Sequence, residues 1–231
     1  MQDSEKIVEL TEKACNFCEQ TFAYEELFKF LECGSDDEKQ ICILKIPHIK
    51  NQKDADMLIF HLTNQHGTVR EAAAEKINEL MKSDSRVFFQ TSFAKEKFLR
   101  AVNDVNPNIC RMIIEILPYL QEKSEFLDAL YDITLEVIEE AEKLNVRNRS
   151  HLYTKKIFNL YWCLEAVSQI VENTDKKLKQ IVEKTYNSEE YTVREKTAKV
   201  IKKLNTPEFD RYLKSLENDE NFYVRFQSVG R

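Results

Sequence analysis

The sequence predicts an all-α array of about six helix pairs, and three observations predict it. Only 3 glycines and 4 prolines occur among 231 residues. Sheet proteins and glycine-loop enzymes need many more such breakers, whereas helices joined by short turns do not. Apolar residues recur at spacings of three and four, as in Ile113, Leu117 and Leu120, or Val193, Thr197, Val200, Ile201 and Leu204. The stretch NQHGTVREAAAEKINEL, residues 64–80, also returns along the chain.

A leading helix is expected over about 3–20. Pairs follow near 23–50, 52–82, 90–122, 124–173, 174–205 and 207–231, within a single repeat domain spanning 1–231. The second member of each pair carries the recurring form. Aligned on Val69-Arg70, the 64–80 stretch stacks onto DVNPNICRMIIEILPYL 40 residues later, then onto SEEYTVREKTAKVIKKL, and 31 residues further onto DENFYVRFQSVG. Looking back 31 residues, EKQICILKIPHI fits as well. Six positions before the arginine site stand Asn64, Asp104, Ser188 and Asp219, all residue types that cap a turn or helix start. Alanines 72, 73 and 74 read as packing positions where helices approach closely. The fourth pair is oversized, with each helix running about 20 residues or more, and the last stops about half a helix short, as a stunted cap or a truncated chain would.

These features resemble the HEAT repeat family from about residue 24 onward. The signature is clear at Val69-Arg70, Val193-Arg194 and Val224-Arg225 and degraded at Ile109-Cys110, where cysteine replaces the arginine. The resemblance implies a right-handed α-α superhelix whose second helices line a concave face. Val69, Arg70, Asp104, Val193, Arg194, Asp219, Val224 and Arg225 are then structural repeat residues, each arginine bonding to a turn of its own or the neighbouring repeat.

Composition excludes several classes. At 42% hydrophobic and 32% charged residues, the chain is neither disordered nor fibrous. No apolar run reaches the roughly 18–20 residues that span a bilayer, and the N-terminus lacks a signal pattern, so a cytoplasmic protein is expected. No glycine-rich phosphate loop, G-x-S-x-G or kinase-like set occurs. Cys15 and Cys18 form a C-x-x-C, but Cys33 and Cys42 have the wrong spacing for a zinc site. The pair is expected to pack on one face of the first helix with Leu10, Ala14 and Phe22. The four histidines have no partner at metal spacing, so neither metal nor cofactor is expected.

Charge is distributed unevenly. Residues 1–144 hold 17 Lys/Arg against 28 Asp/Glu, net −11, whereas 145–203 hold 13 against 7, net +6. Within the basic stretch, Arg147, Arg149, Tyr153, Lys155, Lys156 and Trp162, followed by Arg194 and Lys199, mix cations with aromatic rings. That mixture suits phosphate contacts and base stacking; it equally describes a core flanked by a solvated face, with the acidic helix at 124–143 neutralising part of it. One HEAT-like family, the alkylpurine DNA glycosylases, uses a Trp and an Asp one turn apart. Here Ala166 stands four residues after Trp162 and the nearest acid is Glu165, so no catalytic residue carries over. The phycobilisome-lyase branch is a further resemblance in pattern, without a bilin site. The expected function is a non-catalytic scaffold holding a protein partner, for which the acidic N-terminal two-thirds would suit a basic segment; nucleic-acid binding through 145–203 is the alternative.

Overall fold

The computed structural model describes residues 12–83, 88–144 and 151–229. Among them it contains helices and turns but no strand. The helices are α1 (12–19), α2 (Tyr24–Cys33), α3 (Asp36–Leu44), α4 (Gln52–Phe60), α5 (Gly67–Met81), α6 (Ser92–Arg100), α7 (Pro107–Ile116), α8 (Lys123–Lys143), α9 (His151–Ile170), α10 (Lys176–Thr185), α11 (Tyr191–Leu204), α12 (Asp210–Glu217) and α13 (Phe222–Ser228). None is long and apolar enough to cross a membrane.

The starts are set by side-chain caps. Ser35 accepts from the Glu38 amide while the Glu38 carboxylate accepts from the Ser35 amide, closing a capping box on α3. Asn51, Thr91, Asp175 and Asn221 cap α4, α6, α10 and α13 in the same sense. At α7, Asn106 caps and Pro107 occupies the first turn, where its missing N–H has no cost. Helix α11 ends on Asn205 in the left-handed region, φ 50°, with its amide bonded to the Ile201 carbonyl. Asn205→Val should therefore cost about 1–2 kcal/mol. Asn205→Gly should be neutral or slightly stabilising, as chemical denaturation can check.

Two compact units emerge. The first runs to Ala101 and includes Asn106–Tyr119; the second comprises Val102–Val105 and the chain from Leu120. In the first unit, α2 packs on α3 and α4, α4 on α6, α3 on α5 and α5 on α7, so first helices stack on first helices and second on second. Ala72, Ala73 and Ala74 are buried in α5, whose small side chains let the second-helix row close up. In the second unit, α8 packs on α9 and α10, α9 on α11 and α11 on α13.

The first helix corrects one expectation. Cys15 and Cys18 are exposed, not packed. Phe17 is the inward residue of α1, with its ring 4.8 Å from Phe22 and 5.1 Å from Phe30. The bulkier aromatic side chain removes more apolar surface from water, so it sets the rotation of the helix and leaves both thiols outside.

Candidate functional site

The recurring motif builds one turn device three times. At the turn before α5, Asn64 Oδ1 accepts from the His66 amide at 2.8 Å, and Arg70 donates to the carbonyls of Asn64 and Gln65 at 2.9 and 3.1 Å. Before α11, Ser188 Oγ accepts from the Glu190 amide, and Arg194 donates to the Ser188 and Glu189 carbonyls at 2.7 and 3.1 Å. Before α13, Asp219 Oδ1 accepts from the Asn221 amide, and Arg225 donates to the Asp219 and Glu220 carbonyls at 2.6 and 2.8 Å. Carbonyls that would otherwise have to be left to water meet a five-donor guanidinium. Where cysteine stands at position 110, the turn relies on Asn106, which accepts from the Asn108 amide and donates to Glu71. Val69, Val193 and Val224 are fully buried beneath these turns.

Arg194 carries a second duty. Its Nε and Nη2 donate to the two Asp219 carboxylate oxygens at 2.6 and 2.9 Å, joining the turn before α11 to the turn before α13. The pair is nearly dry, with side chains 10% and 9% exposed. Burial alone would raise the Asp219 pKa, but Arg194, the Asn221 amide and the charge of Arg225 outweigh it and hold the carboxyl below its ordinary range.

The cations of the basic stretch are largely neutralised within the second unit. Lys156 pairs with Glu140, Lys184 with Glu142, Lys177 with Asp128 and Asp132, and Lys179 with Glu208. On the second-helix row, Glu165 of α9 holds two lysines of α11, Lys199 at 2.5 Å and Lys196 at 3.1 Å. Lys196 Nζ also lies 4.6 Å from the centre of the Tyr161 ring. Burial pushes the Glu165 pKa up, yet the two ammonium groups leave it lowered overall.

Lys199 thus reaches toward α9 and Arg194 toward the turn before α13, so the two do not converge. Tyr153 and Trp162 are buried. Lys155 is exposed on α9. Arg147 and Arg149 lie outside the described residues. No group of three His, Cys, Asp or Glu side chains arranged to hold a metal occurs among the described residues.

Sequence reasoning missed an aromatic ladder on the same unit. Tyr191 stacks on Tyr223 at 6.3 Å between ring centres, Tyr223 meets Phe222 at 5.7 Å, and Phe222 stacks on Phe226 at 6.0 Å. These four side chains are 40%, 60%, 61% and 70% exposed. Carboxylates border them: Glu189 and Glu190 immediately precede Tyr191, and Glu220 stands two residues before Phe222. The nearby guanidiniums of Arg194 and Arg225 are turned into their turns. A signal was present in the repeat alignment. The position two after the recurring valine holds Glu71, Arg111 and Glu195, but Phe226 in the last repeat. An aromatic ring at a position otherwise given to charge is an exposed ring.

Comparison with solved structures agrees with this architecture. A computationally designed armadillo repeat protein for modular peptide recognition superimposes with a TM-score of 0.50 at 11% identity, over 89% of this chain and 97% of that one. The fold is an all-α helical repeat, similar in architecture to that designed protein. An engineered protein aligns with a TM-score of 0.48 at 12% identity, covering 90% of this chain and 94% of that one. No family model matches the chain, and no curated protein matches its sequence.

Proposed function

We propose that this helical repeat is a non-catalytic scaffold that binds a protein segment rich in apolar and basic residues. The observation that carries this reading is the exposed ladder Tyr191–Tyr223–Phe222–Phe226 with its border of carboxylates. Contiguous exposed aromatic surface marks interaction sites, and aromatic anchors dominate interface energetics. Rings beside carboxylates favour Lys and Arg over phosphate, through charge and through cation–π contact. The likeness to a designed peptide-recognition repeat is compatible with this reading, and two main helices per repeat with a Val-Arg start support a HEAT-type assignment within the class.

A fluorescein-labelled peptide of alternating Lys and Phe or Leu residues tests it. The chain should bind the peptide, and the double variant Tyr223→Ser with Phe226→Ser should weaken binding about tenfold or more, since anchors of this kind cost at least ~2 kcal/mol when truncated. Duplex DNA at about 50 mM salt should not compete for the site. Failure of every such peptide to bind, or effective competition by DNA, would defeat the proposal.

A further inference from the structure

The long helices of the fourth pair build a cleft of about 200 Å3 beside the ladder. Helices α8 and α9 have 21 and 20 residues, against 10 and 14 for α10 and α11. The last turn and a half of α8 and the first turns of α9 therefore make one wall, with Ile138, Tyr153, Ile157 and Leu160, and Val193 at the start of α11 closes the floor. Ile138, Leu160 and Val193 are buried, so the lining is apolar.

The mouth is polar and asymmetric. Lys184 donates to both oxygens of Glu142 at 2.8 and 2.9 Å, which neutralises that side. Glu189 also lines the cleft; it is exposed, and its carboxylate makes no ion pair among the described residues. The backbone carrying Glu189 is held in place, because Arg194 binds the carbonyls of Ser188 and Glu189 and is itself held by Asp219. Tyr191, two residues on, is the first ring of the ladder.

We infer that this cleft takes one apolar side chain, of Leu or Phe size, from the bound protein segment, and that Glu189 selects a basic residue next to it. This rests on the protein-binding reading above and names the residue class that anchors the partner. A 150 Å3 apolar cavity holds benzene, so this volume suffices for such a side chain. A polar side chain would lose its water without gaining a partner on this floor. An acidic neighbour would meet Glu189 head-on, whereas Lys or Arg would complete the charge at the mouth. A firmly held turn makes the selection cheap, since no loop must be ordered on binding.

The test uses the 231-residue chain and three labelled peptides that share a frame and differ at the centre: Lys-Phe-Lys, Lys-Ser-Lys and Glu-Phe-Glu. The first should bind at least tenfold more tightly than either of the others. Ala141 of α8 also lines the cleft, so filling it with Ala141→Trp should remove that advantage, with helix content checked by circular dichroism. Glu189→Lys is a surface change that leaves the core intact; it should weaken the Lys-Phe-Lys peptide about three- to tenfold and strengthen the Glu-Phe-Glu peptide. If Lys-Phe-Lys and Lys-Ser-Lys bind equally and Glu189→Lys changes nothing, the cleft is not the anchor site, even though loss of binding in the Tyr223/Phe226 variant would keep the ladder reading intact. If no peptide binds, both fall.

Discussion

Arg194→Ala is expected to cost about 3–5 kcal/mol of unfolding free energy, the usual penalty for stripping one partner from a buried ion pair. Two losses combine. Asp219 keeps a nearly dry carboxylate that has lost its two-pronged donor, and the carbonyls of Ser188 and Glu189 lose theirs. Arg225→Ala supplies the scale, because that guanidinium also bonds two turn carbonyls and its removal should cost only about 1–2 kcal/mol. Arg194→Lys should recover only part of the difference, since an ammonium cannot span both carboxylate oxygens. Urea denaturation of the three variants checks the order.

The pH dependence follows from Asp219. Its folded pKa lies below the unfolded value of about 4, so the pair contributes fully above that value. The contribution is lost as pH falls through the folded pKa. The gap between wild type and Arg194→Ala should therefore be widest near pH 7 and shrink below about pH 4. A gap independent of pH would mean that the carbonyl bonds, rather than the carboxylate, carry the effect.

Glu165→Ala is expected to cost about 3 kcal/mol or more, and the reason is Lys196. That ammonium is 11% exposed and would keep only the more distant Glu195 carboxylate, at 3.4 Å, and the face of Tyr161. Lys199, about a third exposed, can turn toward water and should contribute less. Replacing both Glu165 and Lys196 with leucine should restore most of the stability, since apolar packing substitutes well for a buried pair.

The alkaline side distinguishes the variants by sign. Burial lowers the Lys196 pKa, but Glu165 more than compensates and raises it, so in wild type this stability is present below the unfolded value and lost as pH rises through the folded one. Without Glu165 the burial effect is opposed only by Tyr161 and Glu195, and the folded pKa falls. Glu165→Ala should then gain on wild type as pH climbs from about 8 to 10. Thermal melts across that range measure it, and parallel curves would exclude Lys196 as the source.

How much of this could be read from the chain depends on the range of each interaction. The caps at Ser35, Asn51 and Asp175 act within three residues, so a linear sequence shows them. The Val-Arg recurrence marks equivalent turns, although the geometry alone shows what the arginines hold. Charge was less legible. Counting along 145–203 gave a basic stretch, but the acids that answer it include Asp128, Asp132, Glu140 and Glu142 of α8, and Asp219 and Glu208 from beyond. A window of sequence sums charge along the chain, whereas ions pair across space at 3–4 Å.

The ladder and the cleft lie further from any linear reading. Tyr191 and Tyr223 are 32 residues apart, and the cleft joins residues of four helices. By itself the sequence determined that this protein is helical, paired and repetitive, because periodicity, capping and the scarcity of glycine and proline are properties of neighbours along the chain. Tertiary structure decided which cations are spent on carboxylates and which rings remain exposed, because both depend on the packing of helices whose paired residues lie 16 to 49 positions apart in the chain.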